Sequence, residues 1–282
     1  MNATEIASTP VLPTRTLVLA EGRIAYDDTE GAGPLVILVP GMGDLRAQYR
    51  FVRGPLAAAG YRVVTMDLRG LGESDATFSR YDGEVVGQDI LALIRHLDAG
   101  PAIIMGNSMA AGSALYAAAE APALVSSFVS IGGFARGPDM SWPVRILVRM
   151  LMGGPWRNAV WMAMHDRLFP LAKPADHDEH RARLRANFAE PGRSAALGQM
   201  LLSNHAHAES RYDAVTVPSL FVMGTADSDF PDPKAEATEV AEAVGGEAAF
   251  IEGAGHYPHV EAPEQFVRIV LDFLAVQQRR SA

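Results

Sequence analysis

The chain has 282 residues, 49 % hydrophobic and 20 % charged, with no cysteine and 24 Lys+Arg against 33 Asp+Glu, a formal net charge of −9. That composition is globular, not disordered or fibrous, and fits one large α/β domain with an insertion or two small domains. The missing cysteine removes disulfides, thiolate metal sites and thiol nucleophiles, and the acidic balance argues against a nucleic-acid partner, for which Arg279 and Arg280 are too few.

The first 20 residues have no basic stretch leading into an apolar run, so no secretory leader is expected. No stretch reaches the roughly 20 apolar residues of a bilayer span. The expectation is a cytoplasmic protein with no membrane partner. Residues 15–20 and 23–26 flank Glu21-Gly22 and read as an opening hairpin. The continuous β-branched run 35–39 suits a strand buried on both faces of a parallel sheet. A helix over 51–59, a strand over 61–68 and a helix over 82–97 follow, the last with Val86, Ile90, Leu91, Ile94 and Leu97 on one stripe. Then come a strand over 102–105, a small-residue helix over 109–119 and a strand over 125–131. From 134 to 212, about 79 residues, only helical stretches appear: 144–152, 156–168, 178–188 and 194–203. Alternation resumes with a strand at 219–223, a helix at 234–244, a strand at 248–251 and a last helix at 263–278. This predicts a parallel α/β core, residues 1–133 and 213–282, interrupted by a helical cap over 134–212.

Four segments carry candidate chemistry. In Gly106-Asn107-Ser108-Met109-Ala110 a strand runs into a helix through a sharp bend that exposes a serine hydroxyl, with small residues two before and two after it. Gly253-Ala254-Gly255-His256 follows a strand and leaves an imidazole free to swing over a site. Asp227 follows the strand at 219–223 and is placed to orient an imidazole, with Asp229 and Asp232 as rivals on the same loop. Pro40-Gly41-Met42-Gly43-Asp44 is a glycine-rich turn in which the Met42 N–H can donate to an oxyanion, with the Met109 N–H as second donor. The other seven histidines read mostly as surface residues. His177 with His180, and His205 with His207, have no carboxylate in a ligand register, so no metal is expected. Oxyanion loop, Ser, Asp and His each follow a strand, where ligands of open parallel sheets sit.

With these pieces the chain resembles the α/β-hydrolase-fold serine hydrolases from about Thr16 to Leu274, and the run 67–75, DLRGLGESD, is similar to the D-x-R-G-x-G-x-S turn of lid-bearing members. The resemblance implies a mostly parallel eight-stranded sheet flanked by helices, with a cap after the sixth strand. It makes Ser108 the nucleophile, His256 the base and Asp227 the acid. Pro40-Gly41 stands where the family often has His-Gly, and the elbow ends in Ala110, not Gly. Backbone N–H donors survive both changes. The elbow serine argues against haloalkane dehalogenases and epoxide hydrolases of this fold, which use Asp, and the absent cysteine against dienelactone-type hydrolases.

The expected activity is hydrolysis of a small-molecule carboxylic ester or lactone, with no cofactor and with monomer or homodimer open. The alternatives are carbon–carbon bond hydrolysis of ring-cleavage products, some of whose enzymes share a Gly-Asn-Ser-Met elbow, perhydrolase, acyltransferase or lyase chemistry, and a non-catalytic ligand receptor. The carbon–carbon reading needs a cap arginine, and Arg145, Arg149 and Arg157 are the candidates. Met140, Trp142, Met150, Met152, Trp156, Trp161, Met162 and Met164 cluster in the insertion. Gly41, Trp142 and Met150 are expected to line the substrate pocket.

Overall fold

The computed structural model describes residues 12–133, 142–154, 156–203 and 207–281. The chain runs β1 (Arg15–Val18), β2 (Arg23–Asp28), β3 (Leu35–Val39), α1 (Arg50–Ala58), β4 (Arg62–Met66), α2 (Gly83–Leu97), β5 (Ala102–Asn107), α3 (Met109–Glu120) and β6 (Val125–Ile131). Four helices follow: α4 (Trp142–Gly153), α5 (Arg157–His165), α6 (His177–Ala189) and α7 (Arg193–Leu202). The chain closes with β7 (Ser219–Gly224), α8 (Pro233–Val244), β8 (Glu247–Ile251), a short α9 (Pro258–Glu261) and α10 (Pro263–Ser281).

The eight strands form one sheet in the order β1-β2-β4-β3-β5-β6-β7-β8. Only the pairings β1–β2 and β2–β4 are antiparallel; the rest are parallel. This is the mostly parallel, eight-stranded architecture that the sequence resemblance implies. The continuous apolar strands are buried on both faces for a visible reason. Leu35, Ile37 and Val39 of β3 pack with Val86 and Ile90 of α2 and Ala114 of α3. Val36 and Leu38 point the other way, into the cluster of Val52 and Leu56 from α1 and Phe266 and Val270 from α10. Period-2 alternation therefore serves two cores at once.

The turn 67–75 locks the sheet to what lies above it. Buried Asp67 accepts the Arg46 N–H at 2.8 Å and the Glu73 N–H at 3.0 Å, and it also pairs with the Arg46 guanidinium. Arg69 makes a bidentate pair with Asp89 of α2, both bonds 2.7 Å. Asn187 of α6 donates to the Gly72 carbonyl at 2.9 Å and accepts its N–H at 3.0 Å.

Between β6 and β7 the described residues are helices and short 3-10 turns, without a strand. α4 packs on α5 and α7, and α6 on α5 and α7. Phe134 and Met140, and His205 nearer the far end, lie outside the described residues, as do residues 1–11 and the side chains of Arg145 and Met152. No described helix is long and apolar enough to cross a membrane.

Candidate active site

β5 runs two residues further than the sequence suggests, to Asn107, and delivers Ser108 directly onto α3. Ser108 has φ 56° and ψ −125°, a conformation that costs a non-glycine residue roughly 1–3 kcal/mol. It stands at the N-cap of α3, where a serine hydroxyl normally accepts a helix N–H, but it makes no such bond. The hydroxyl is thus not spent on the helix. The bend is fixed by the Ser108 N–H donating to the Ile131 carbonyl of β6 at 2.9 Å. The side chains along the first turns of α3, from Met109 to Leu115, are buried. Met109 is the first helical residue after Ser108, so its N–H is one of those without an intrahelical acceptor.

The histidine and the acid come from the far end of the chain. His256 Nδ1 donates to Asp227 Oδ2 at 2.8 Å, with both residues 2 % exposed. Of the rival acids, Asp232 caps α8 by accepting the Ala235 N–H at 3.0 Å. Asp229 Oδ2 lies 3.7 Å from the ring nitrogen, and its N–H donates to Asp227 Oδ1 at 3.0 Å. Asp227 is the acid that meets the imidazole. Burial disfavours a charged His256, but the Asp227 carboxylate beside it outweighs that and raises its pKa above the ordinary histidine value.

Two residues that the sequence reading did not assign to the site hold this histidine. Asn107 Nδ2 donates to the Ile131 carbonyl at 2.9 Å and to the His256 carbonyl at 3.1 Å, while its Oδ1 accepts from Gln48 at 3.3 Å. Glu261 of α9 accepts the Gly255 N–H at 2.7 Å and the Leu171 N–H at 2.8 Å. The helical segment also touches the loop directly, as the His256 N–H donates to the Leu168 carbonyl at 3.1 Å. Asn107 and Leu168 lie far from His256 in sequence, so their contacts to it leave no local signal.

The glycine-rich turn after β3 sits against the serine. A Cβ on Gly41 would lie 3.0 Å from Ser108 Cβ and 2.9 Å from Asn107 Oδ1, so only glycine allows this approach. The Asp44 N–H closes the turn on the Gly41 carbonyl at 3.2 Å, and Gly43 at its third position has φ 73°, as a type II turn requires. Met42 is half-buried between them.

The reading of most other histidines as surface residues is corrected. His165, His177, His180 and His259 are all buried. Nor do His177 and His180 lack carboxylates. His180 Nε2 meets Asp44 Oδ1 at 2.7 Å, and His177 Nε2 meets Asp166 Oδ1 at 3.1 Å. His165 Nε2 lies 3.5 Å from Asp44 Oδ2, which makes Asp44, His165 and His180 a group close enough to share a cation. The 2.7 Å contact is a hydrogen bond, shorter than the about 3.3 Å that separates ligands of a tetrahedral zinc.

The structure brings Gly41, Met42, Ser108, Met109, Asp227 and His256 to one end of the sheet. Trp142 and Met150, expected in the pocket wall, are 74 % and 62 % exposed on α4, which is not the environment of an enclosed pocket wall. Among the described residues of the Trp/Met cluster, Trp161 and Met162 are buried. A cleft of about 1200 Å³ lies elsewhere, lined by residues such as Arg46, Arg50, Asp67 and Asp176 and by none of Ser108, Asp227 and His256.

A model of the alpha/beta hydrolase family matches residues 36–269. The chain is 28 % identical over 265 residues to a 2-hydroxy-6-oxononadienedioate/2-hydroxy-6-oxononatrienedioate hydrolase of Cupriavidus pinatubonensis, covering 90 % of this chain and 91 % of that one. Among solved structures it is similar to a bromoperoxidase from Bacillus anthracis, with TM-score 0.80, 19 % identity and coverage of 94 % and 100 %. It is also similar to an enol-lactonase from Burkholderia xenovorans LB400, with TM-score 0.77, 22 % identity and coverage of 93 % and 100 %. At these identities the structural likeness speaks to the fold alone.

Proposed function

This chain belongs to the alpha/beta hydrolase family, and we propose that it hydrolyses carboxylic esters or lactones through an acyl-enzyme on Ser108. The observation that carries the reading is the strained elbow. Ser108 keeps its hydroxyl off the helix it caps, and its neighbour Asn107 is bonded to the backbone of His256, whose ring is paired with Asp227. Strain of this kind persists only where the surroundings over-determine it.

The steps follow from which ring nitrogen is occupied. Asp227 holds Nδ1, so Nε2 is the nitrogen that takes the Ser108 proton as Oγ attacks the carbonyl carbon. The oxyanion is met by the N–H groups of Met42 and Met109. His256 returns the proton to the leaving alkoxide, and the alcohol departs. Water, deprotonated by the same nitrogen, then attacks the acyl ester, and collapse of the second oxyanion frees the acid and Ser108. In this reading α4 to α7 form a cap over the site. The Leu168 contact to His256 and the Trp161 contact to Gly43 support it.

Carbon–carbon bond hydrolysis is the second reading, favoured by the relative that bears such a name over 90 % of this chain. Its dicarboxylate substrate needs a cationic anchor, and in the insertion Arg149 is exposed and Arg157 half-buried.

One experiment addresses both. Purified protein is assayed against nitrophenyl esters of two to twelve carbons, a set of lactones, and a 2-hydroxy-6-oxo-dienedioate. Ester or lactone turnover that falls to near background in a folded Ser108→Ala variant is the expected result. Turnover of the dienedioate alone transfers the reading to carbon–carbon cleavage, and wild-type-like activity of Ser108→Ala ends it.

A further inference from the structure

The turn that presents Met42 is held from two sides. On the core side Gly41 rests on Ser108 and Asn107. On the other side three residues of the helical cap reach it. Trp161 Nε1 of α5 donates to the Gly43 carbonyl at 3.2 Å, and its indole fills the space where a Cβ on residue 43 would stand. His165, one helical turn after Trp161 and on the same face, brings its Nε2 to 3.5 Å from Asp44 Oδ2. His180 of α6 donates from Nε2 to Asp44 Oδ1 at 2.7 Å.

Asp44 is therefore the joint. Its backbone N–H closes the turn, and its Oδ1 accepts the Leu45 N–H at 2.7 Å, where the chain enters the 3-10 turn Arg46–Tyr49. It is 1 % exposed, beside histidines 0 % and 5 % exposed. Burial pushes its carboxyl pKa up, but His180 and His165 outweigh burial and hold it well below the carboxylate range, so the anion is retained. A buried anion with such partners is costly to unpair. The contact resists sliding, and the cap position and the turn position become one variable.

We propose that Asp44 is a positioning residue, through which His180 and His165 of the cap set the direction of the Met42 N–H in the oxyanion hole. The inference rests on the serine-hydrolase reading for its catalytic consequence, but not for its structural one. Asp44 touches neither substrate nor Ser108 in this scheme. It makes a seated cap the condition for a formed hole, so that attack waits on closure. The loss expected when it is neutralised is a loss of transition-state stabilisation, not of ground-state binding.

The test uses Asp44→Asn, His180→Gln and, as a control, Asp176→Asn. Asp176 pairs with Arg50 at 2.6 and 2.7 Å and joins the start of α6 to the core without touching the 41–44 turn. Kinetics on nitrophenyl acetate and hydrogen exchange of the peptide covering 41–45 are measured for each. Asp44→Asn should lower kcat about 10- to 100-fold, less than the 10²–10³ of an absent oxyanion donor, with KM within about threefold. Exchange over 41–45 should accelerate in Asp44→Asn and His180→Gln and stay unchanged in Asp176→Asn. An Asp44→Asn enzyme with wild-type kcat, or with unchanged exchange over 41–45, overturns the proposal. So does an equal kcat loss in Asp176→Asn, which would mark general loosening of the cap. If Asp44→Asn does not fold, His180→Gln decides by the same two readouts. If the wild-type protein hydrolyses no ester, the functional reading fails, while the exchange measurement still decides whether the clamp exists.

Discussion

The buried pair of His256 and Asp227 makes a pH-dependent statement. A general base works when neutral, and its raised pKa moves the loss of activity on acidification upward. The acid limb of kcat/KM should have its midpoint above the ordinary histidine value of 6.5. Asp227→Asn removes the carboxylate that raises it. The limb should then shift to lower pH, and turnover should fall on the order of 10⁴-fold, because the imidazole loses its tautomer and its charge partner. Asp229→Asn, 3.7 Å away, should cost far less. A pH–rate profile of the three proteins checks both statements, and an Asp229→Asn enzyme crippled more than Asp227→Asn would reassign the acid. Asn107 is the residue whose role a sequence cannot disclose. It reads as a possible mark of ring-cleavage hydrolases, yet its amide is engaged by two carbonyls and by Gln48. It fixes the elbow to the histidine loop, whatever the substrate. Asn107→Ala removes the amide donor to the buried His256 carbonyl and one of the two donors to the Ile131 carbonyl, so a stability loss of about 1–3 kcal/mol by urea denaturation is expected.

At the level of elements, legibility tracked burial. The run 35–39 was readable to the residue, because a strand covered on both faces is apolar from end to end. The strand 125–131 was equally readable from its β-branched and aromatic residues, although Ser126, Ser127 and Ser130 interrupt them. The hydroxyl-bearing bend was readable because local sterics dictate its small neighbours. The 3-10 turn Arg46–Tyr49 and α9 were not readable. Their order comes from distant partners, such as the Tyr49 hydroxyl on the Val39 carbonyl at 2.8 Å and Glu261 on the 255 and 171 amides. The Trp/Met cluster shows the same limit. Helical spacing says that a face needs a partner, but not which of several aromatic residues finds one. Trp161 is 5 % exposed against the turn after β3, whereas Trp142 is 74 % exposed. Trp161→Ala should therefore destabilise by about 3–5 kcal/mol. Trp142→Ala should stay within about 0.5 kcal/mol. Denaturant midpoints of the two variants test this, and equal effects would mean that α4 is packed where the structure leaves it open.

For the whole molecule, the parallel sheet explains how residues 41, 108, 227 and 256 meet. Strands β3, β5, β7 and β8 run the same way, so the loops after them share one end. Assembling that end buries ionisable groups that act on stability in opposite directions. His256, with its raised pKa, binds its proton earlier in the folded state than in the unfolded chain, and that gain is complete below the unfolded value near 6.5. His259, three residues further along, does the reverse. It is 0 % exposed and bonded to Gln48 at 3.0 Å, and burial pushes its pKa down to about 3. Between about pH 6.5 and 3 the unfolded chain therefore carries a proton at this position that the folded chain lacks. Stability should fall by about 1.4 kcal/mol for each pH unit of acidification from this group. In His259→Gln, which keeps an acceptor for Gln48, that slope should vanish from the difference between pH 6 and pH 4.5, while the other buried groups contribute equally to both proteins. Urea unfolding at several pH values measures it. Parallel stability curves for wild type and variant would show that His259 is protonated in the folded state, and that the core beneath the candidate site holds a charge that its surroundings do not suggest.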